Sequence, residues 1–359
     1  MIILNSSEAA IELLEHRSSA YSHRPQLVMA NELVGWKNAI PNMNYGDTFK
    51  RARKLLYEGL SPKAVRPFIP LQQQETVRFV QRLLESPGHI VQHIRQSAGS
   101  SVIKLTYGYD IKGQNDYFLN LAEETINMFS IVTTPGMFLV DVLPWLRYLP
   151  WAPFKVKAQR WRRLLSEFRE KPMEYTRNKM ATGHFEPCLA SRWLERLDNK
   201  DNAERQEYES IIKWAGVALY GGGADTVYCF GYFNFLYLYE RLPTYDDRES
   251  LPYLGALYKE VLRWHPVGPL AVPHCLDSEK DDVYRGMFIP RGCVVVPNVG
   301  AMLSNPEVYH DPEVFRPERF LGHDGRLPEP DPERFIFGFG KRFGRSIFRD
   351  HYGAVQALK

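Results

Sequence analysis

Four short strings carry residue types whose spacing suits chemistry. Gly222-Gly223-Ala224-Asp225-Thr226 sets an acid beside a hydroxyl inside an apolar stretch, a pair able to orient water and pass protons. Each glycine in a helix costs about 1 kcal/mol against alanine, so the run implies a planar group or another backbone lying close. A tight helix crossing, with Asp225 met by a neighbouring arginine, is the plainer alternative. Glu260-Val261-Leu262-Arg263 puts a carboxylate and a guanidinium at i and i+3 on one helical face. Alone, such a pair is most often a weak surface salt bridge. Phe315-Arg316-Pro317-Glu318-Arg319-Phe320 supplies Arg319, which can close a three-member ionic cluster with Glu260 and Arg263; by itself that string is an ordinary surface turn. Phe337-Gly338-Phe339-Gly340-Lys341-Arg342 is a glycine-spaced aromatic loop ending in two cations. Its backbone N–H groups and Arg342 suit a phosphate or carboxylate, and a tight turn accounts for the same residues without a ligand.

The elements that must hold these strings read as mainly helical over the first two-thirds. Ser7-Glu8 opens a helix from Ala9 to Glu15, and Asp47 starts one that runs to Leu60 and stops at Ser61-Pro62. Val77, Val80, Leu83 and Leu84 space a helix over 72–85, and 158–180 reads as a long charged one. An aromatic loop with Pro144, Trp145, Tyr148, Pro150, Trp151 and Pro153 precedes it. Glu207 to about Tyr239 is predicted as a buried helix, and Ser250-Leu251-Pro252 starts another that runs to Trp264. Two short strands flank Pro290-Arg291-Gly292, and the rest is irregular. The expectation is a mainly α protein with a small β-sheet element, as a single domain over 1–359.

Composition narrows the function classes. The chain has 359 residues, 44% hydrophobic and 24% charged, which excludes disorder as the main state. The 20 Tyr, 20 Phe and 7 Trp suit a large core or a pocket for apolar ligands. With 45 Lys plus Arg against 42 Asp plus Glu, a net charge of +3 is too even to argue for nucleic acid. Cys188, Cys229, Cys275 and Cys293 form no CxxC, so reduced thiols are expected rather than a zinc module. The 26 residues 214–239 hold one charge, Asp225, and are long enough to span a bilayer, but five glycines and that acid favour a buried helix.

In this order the four strings resemble the cytochrome P450 family, the haem-thiolate monooxygenases. The resemblance covers nearly the whole chain. Tyr45-Gly46-Asp47 with Phe49 and Arg53 is similar to the family's early Trp-x-x-x-Arg helix motif, with Phe49 in the Trp place. Leu262 to Pro266 and Val272-Pro273-His274 resemble fungal members. The resemblance implies haem as cofactor and a helical core. It implies Asp225 and Thr226 as the proton-delivering pair, and Glu260, Arg263 and Arg319 as the ionic cluster. Arg53, His274 and Arg342 would meet the haem propionates, and Phe337 and Gly340 would shape the loop beneath the ring. Stretches around Trp36 and between Val267 and Val272 would line the substrate pocket. The implied activity is insertion of an oxygen atom from O₂ into a lipophilic small molecule, with electrons from an NADPH-dependent reductase, in fungal secondary metabolism.

The chain departs from the pattern at its most consequential point. The family motif continues Arg-x-Cys-x-Gly, but Arg342 is followed by Phe343, Gly344 and Arg345, as if Cys-Pro were removed between Phe343 and Gly344. That cysteine gives the iron its axial thiolate. His351 lies too far beyond the loop to serve as a replacement ligand. Only 33 residues separate Thr226 from Glu260, and Tyr239-Glu240-Arg241 reads as a junction across a lost helix. The N-terminal anchor, the first sheet segments and the C-terminal strands are also expected to be missing. A catalytically inactive relative and a mis-spliced gene product are therefore the alternatives. The expected location is cytoplasmic, or peripheral at the endoplasmic reticulum, with no transmembrane anchor in this chain.

Overall fold

The computed structural model describes residues 1–113, 115–197, 201–234, 251–277, 281–322 and 327–342, with backbone only for Pro62 and residues 224–234. Two compact units are distinguished, one formed by Gln26–Gly59 and Pro70–Tyr228, the other by Met1–Pro25, Leu60–Ile69 and Cys229–Lys359.

The first unit is helical. Its long elements are α1 (Asp47–Leu60), α2 (Ile69–Glu85), α3 (Ile90–Tyr107), α4 (Tyr117–Thr133), α5 (Pro153–Ala181), α6 (Leu189–Glu195) and α7 (Asn202–Asn234). α5 starts with Pro153 in its first turn, where the missing N–H leaves no bond unmade. It begins five residues before the predicted start. α3 and α4 had no periodic signature. From His93 to Tyr107 nearly every residue of α3 is buried, so its sequence shows no polar face to contrast with an apolar one. The core holds Trp193, Tyr107, Tyr220 and Phe168, with the Phe168 and Tyr220 rings stacked at 5.1 Å.

α7 passes close to α3 where its glycines fall. A Cβ on Gly216 would strike the Tyr107 ring, and one on Gly223 would stand 2.7 Å from Val102 Cγ2. A Cβ on Gly222 would meet nothing within 4 Å. The tight crossing therefore explains Gly223 but not Gly222.

The second unit carries α8 (Pro252–Trp264) and two small sheets. β1 (Ile2–Leu4) runs parallel to β5 (Val294–Pro297), and β2 (His274–Cys275) pairs antiparallel with β5. β3 (Asp282–Tyr284) and β4 (Met287–Ile289) form a separate antiparallel pair. The strands on either side of Pro290-Arg291-Gly292 thus join different sheets. β1 went unread because three residues are too few to show alternation. The core of this unit gathers Leu13, Leu14, Tyr21, Val295, Leu303, Tyr309 and Phe339.

Candidate functional site

Glu260 and Arg263 lie one turn apart on α8, and both are buried. Arg263 Nε and Nη2 donate to the two carboxylate oxygens of Glu260, each at 2.8 Å. Arg319, in the 3₁₀ turn Pro317–Phe320, donates through Nε to Glu260 at 3.2 Å, and the Arg316 N–H donates to Glu260 Oε1 at 2.8 Å. Arg319 Nη1 also pairs with Glu329 at 2.7 Å and donates to His310 O at 2.6 Å. Arg263 Nη1 reaches Leu303 O at 3.1 Å, and its guanidinium lies 5.6 Å from the Tyr309 ring centroid. Two guanidiniums and two carboxylates balance in charge, which keeps so polar a knot compatible with burial. The knot fixes α8 to the segment that carries the Pro-Glu-Arg-Phe string.

The same unit contains a second buried cluster, and all its ionisable groups are basic. His274 on β2 is buried, and its Nδ1 lies 2.7 Å from Tyr21 O, so that nitrogen is the donor. Burial first, and then the Arg24 and Arg342 charges, pull the imidazole down to a pKa of about 3, so it is neutral near pH 7. Arg342 is buried and donates from Nε to Ser22 O at 2.8 Å. Arg24 is buried as well. Its Nη1 donates to Val272 O at 2.6 Å and Pro273 O at 2.8 Å, the two carbonyls preceding His274. Burial, with Arg342 as a like charge, holds the Arg24 pKa well below its ordinary value. The charges that perturb Arg24 and His274 are cations, so a carboxylate entering this space would relieve all three groups.

Arg24 is the site residue that sequence reasoning missed. Its partners lie 248 and 249 positions away, and an arginine before a proline carries no local signal of such a role.

The loop holding Arg342 is shaped by backbone needs. Gly338 and Gly340 have φ of +90° and +51°. A Cβ on Gly340 would overlap Leu14 O and stand 2.8 Å from Ser18 Cβ. Gly340 thus lets the loop approach the helical turn Ile11–His16, while Phe337 is half-buried and Phe339 is fully buried in the core.

Other expected site residues fall in the first unit. Arg53 is on α1, and burial lowers its pKa. Asp225 and Thr226 belong to α7, but their side chains lie outside the described residues. So do the Phe343–Gly344 gap, the Cys229 side chain, His351 and the Tyr239-Glu240-Arg241 junction. Trp36 is buried against Phe129 and Trp214, with ring centroids 4.6 and 6.2 Å away, and Nε1 donates to Met128 Sδ at 3.5 Å. In the second unit Val267, Leu270 and Val272 are exposed, and Ala271 between them has φ of +47°. A cavity of about 150 Å³ bordered by Tyr107, Asp110, Tyr175, Lys179 and Glu186 contains none of the expected site residues.

The cysteines offer no ligand in the loop. Cys188 caps α6 from its N-terminus, and Cys275 and Cys293 Sγ donate to the carbonyls of Leu276 and Val294. The basic cluster fits the carboxylates of a haem; the donor set for its iron does not fit, because the sequence has no cysteine after Arg342. No helix among the described residues is long and apolar enough to cross a membrane.

Comparison with known proteins gives a consistent picture. The family profile for Cytochrome P450 matches residues 1–241 and 237–344. The chain is similar to Cytochrome P450 monooxygenase claR of Ampulloclitocybe clavipes, with 40% identity over 95% of this chain and 67% of the relative. It is similar to Cytochrome P450 monooxygenase 208 of Postia placenta, at 37% over 95% of this chain and 70% of the relative. Cytochrome P450 monooxygenase CLM2 of Gibberella zeae is 36% identical over 95% of this chain and 69% of its own length.

Proposed function

Because this chain belongs to the cytochrome P450 family, we propose that its scaffold is that of a monooxygenase acting on a lipophilic small molecule, and that the sequence as written does not turn over. Haem is the cofactor of the family, and a cysteine thiolate would supply its iron with the electron density that oxygen chemistry needs. One observation carries the reading. The loop ending at Arg342 is folded against a buried basic cluster suited to carboxylates, yet its continuation Phe343-Gly344-Arg345 holds no cysteine.

What the chain's own residues do is then limited. Arg24 and Arg342 are the charges that would hold carboxylates, and the neutral His274 lies beside them with its Nδ1–H donated to Tyr21 O. Glu260, Arg263 and Arg319 keep α8 in place. Asp225 and Thr226 have the chemistry of a proton relay on α7. Val267, Leu270 and Val272 present apolar surface to a lipophilic substrate. The two profile matches meet at 237–241, which supports a lost segment at Tyr239-Glu240-Arg241. A complete relative would draw electrons from an NADPH-dependent reductase.

The test is a carbon monoxide difference spectrum of the reduced, haem-supplemented protein. No thiolate-type band is expected from the chain as it stands. Such a band, or product formed from a lipophilic substrate with reductase present, would overturn the reading.

A further inference from the structure

Two buried guanidiniums of the second unit are anchored in a way that leaves their charge uncancelled. Arg24 Nη1 is fixed by Val272 O at 2.6 Å and Pro273 O at 2.8 Å, and Arg342 Nε by Ser22 O at 2.8 Å. Backbone carbonyls orient a cation without neutralising it. Arg342 acts as a like charge on Arg24, and both act on the buried His274, whose Nδ1–H is given to Tyr21 O. The Glu260 knot of the same unit is the contrast, since there two guanidiniums meet two carboxylates. Burying like charges is costly, and apolar side chains would fill the same space at less cost. The arrangement therefore suits an anion brought from outside, and two cations match two carboxylates.

The metal has no matching provision. No cysteine follows Arg342. Cys275 and Cys293, the two cysteines of this unit whose side chains are described, donate from Sγ to the Leu276 and Val294 carbonyls. Recognition thus falls on the rim of a porphyrin, and the rim carries the same two carboxylates with iron or without it.

We propose, on the reading that no thiolate reaches the iron, that this chain binds porphyrins by their two carboxylates and regardless of the metal, so that metal-free protoporphyrin is held as tightly as haem. Arg24 and Arg342 make the recognition, and the metal adds nothing to it.

Quenching of tryptophan emission, as the full chain is titrated with haem, metal-free protoporphyrin or protoporphyrin dimethyl ester, tests this. Haem and protoporphyrin should bind within about twofold of each other, whereas the uncharged ester should bind about tenfold or more weakly, the worth of one lost hydrogen bond to a charged group. Arg24→Gln and Arg342→Gln should weaken haem and protoporphyrin equally. The ester alters the ligand and not the protein, so its comparison stands even where a variant fails to fold. Inserting Cys-Pro between Phe343 and Gly344 should tighten haem alone. Haem held about tenfold more tightly than protoporphyrin by the parent chain, with no thiolate-type carbon monoxide band, overturns the proposal and leaves the absence of turnover standing. Equal binding of the ester, or no binding of protoporphyrin, overturns it as well. A thiolate-type band from the parent chain overturns both.

Discussion

Glu260 is the carboxylate on which two buried guanidiniums converge, and that makes its removal more damaging than the removal of either arginine. Arg263→Ala takes from Glu260 its two hydrogen bonds to that guanidinium. In the structure Glu260 still keeps Arg319 and the Arg316 N–H, so the damage is partial. Glu260→Ala instead leaves Arg263 with the Leu303 carbonyl as its remaining hydrogen-bond partner. Breaking a buried ion pair typically costs about 3–5 kcal/mol. Urea denaturation should show Glu260→Ala at or above that range and Arg263→Ala below it. His274 gives a second residue-scale prediction. Its imidazole titrates near 3 in the folded chain and at about 6.5 unfolded. Between those values the unfolded state binds the extra proton, so stability falls as pH drops. It should be flat above the unfolded pKa and decline by up to about 1.4 kcal/mol per pH unit below it. The groups facing His274 are Arg24, Arg342 and the Tyr21 carbonyl. Melts of the parent and of His274→Asn across that range check this, because the variant should lose its share of the acid slope.

α7 shows how one helix meets two demands through neighbouring glycines. Gly223 is fitted to Val102 of α3, whereas Gly222 has open space on its Cβ side. Alanine is the better helix former at both positions by about 1 kcal/mol. At Gly223 the close approach should reverse that gain, since overpacking costs about 1–3 kcal/mol. Thermal melts should therefore show Gly222→Ala neutral or stabilising and Gly223→Ala destabilising. Two stabilising outcomes would mean that α3 and α7 are not held at this distance. The helices missed in the sequence have a related cause. α3 is buried almost all round, and a helix without a polar face has no period to read. α1 and α8 are amphipathic and followed by Ser61-Pro62 and His265-Pro266, so their C-terminal ends at Leu60 and Trp264 are legible in the sequence.

At the scale of the whole molecule, the missing thiolate and the intact basic cluster make opposite statements about haem, and one insertion separates them. Placing Cys-Pro between Phe343 and Gly344 should restore the thiolate-type carbon monoxide band, because Arg342 and Gly340 already set the path of the loop. A repaired chain that folds, binds haem and shows no such band would count against the reading. The sequence by itself determined the family, the order of the four strings, the absence of the cysteine and the mainly helical class. Those follow from residue identity and local spacing, which need no knowledge of distant neighbours. Only the tertiary structure decided that Arg24 joins His274 and Arg342, that Gly340 makes room for the Leu14 carbonyl, and that β4 and β5 part into different sheets. Each of these depends on partners tens to hundreds of positions away, or on which edge a strand finds free. Burial and shape complementarity choose such partners once the chain has collapsed, and nothing in the local pattern encodes them.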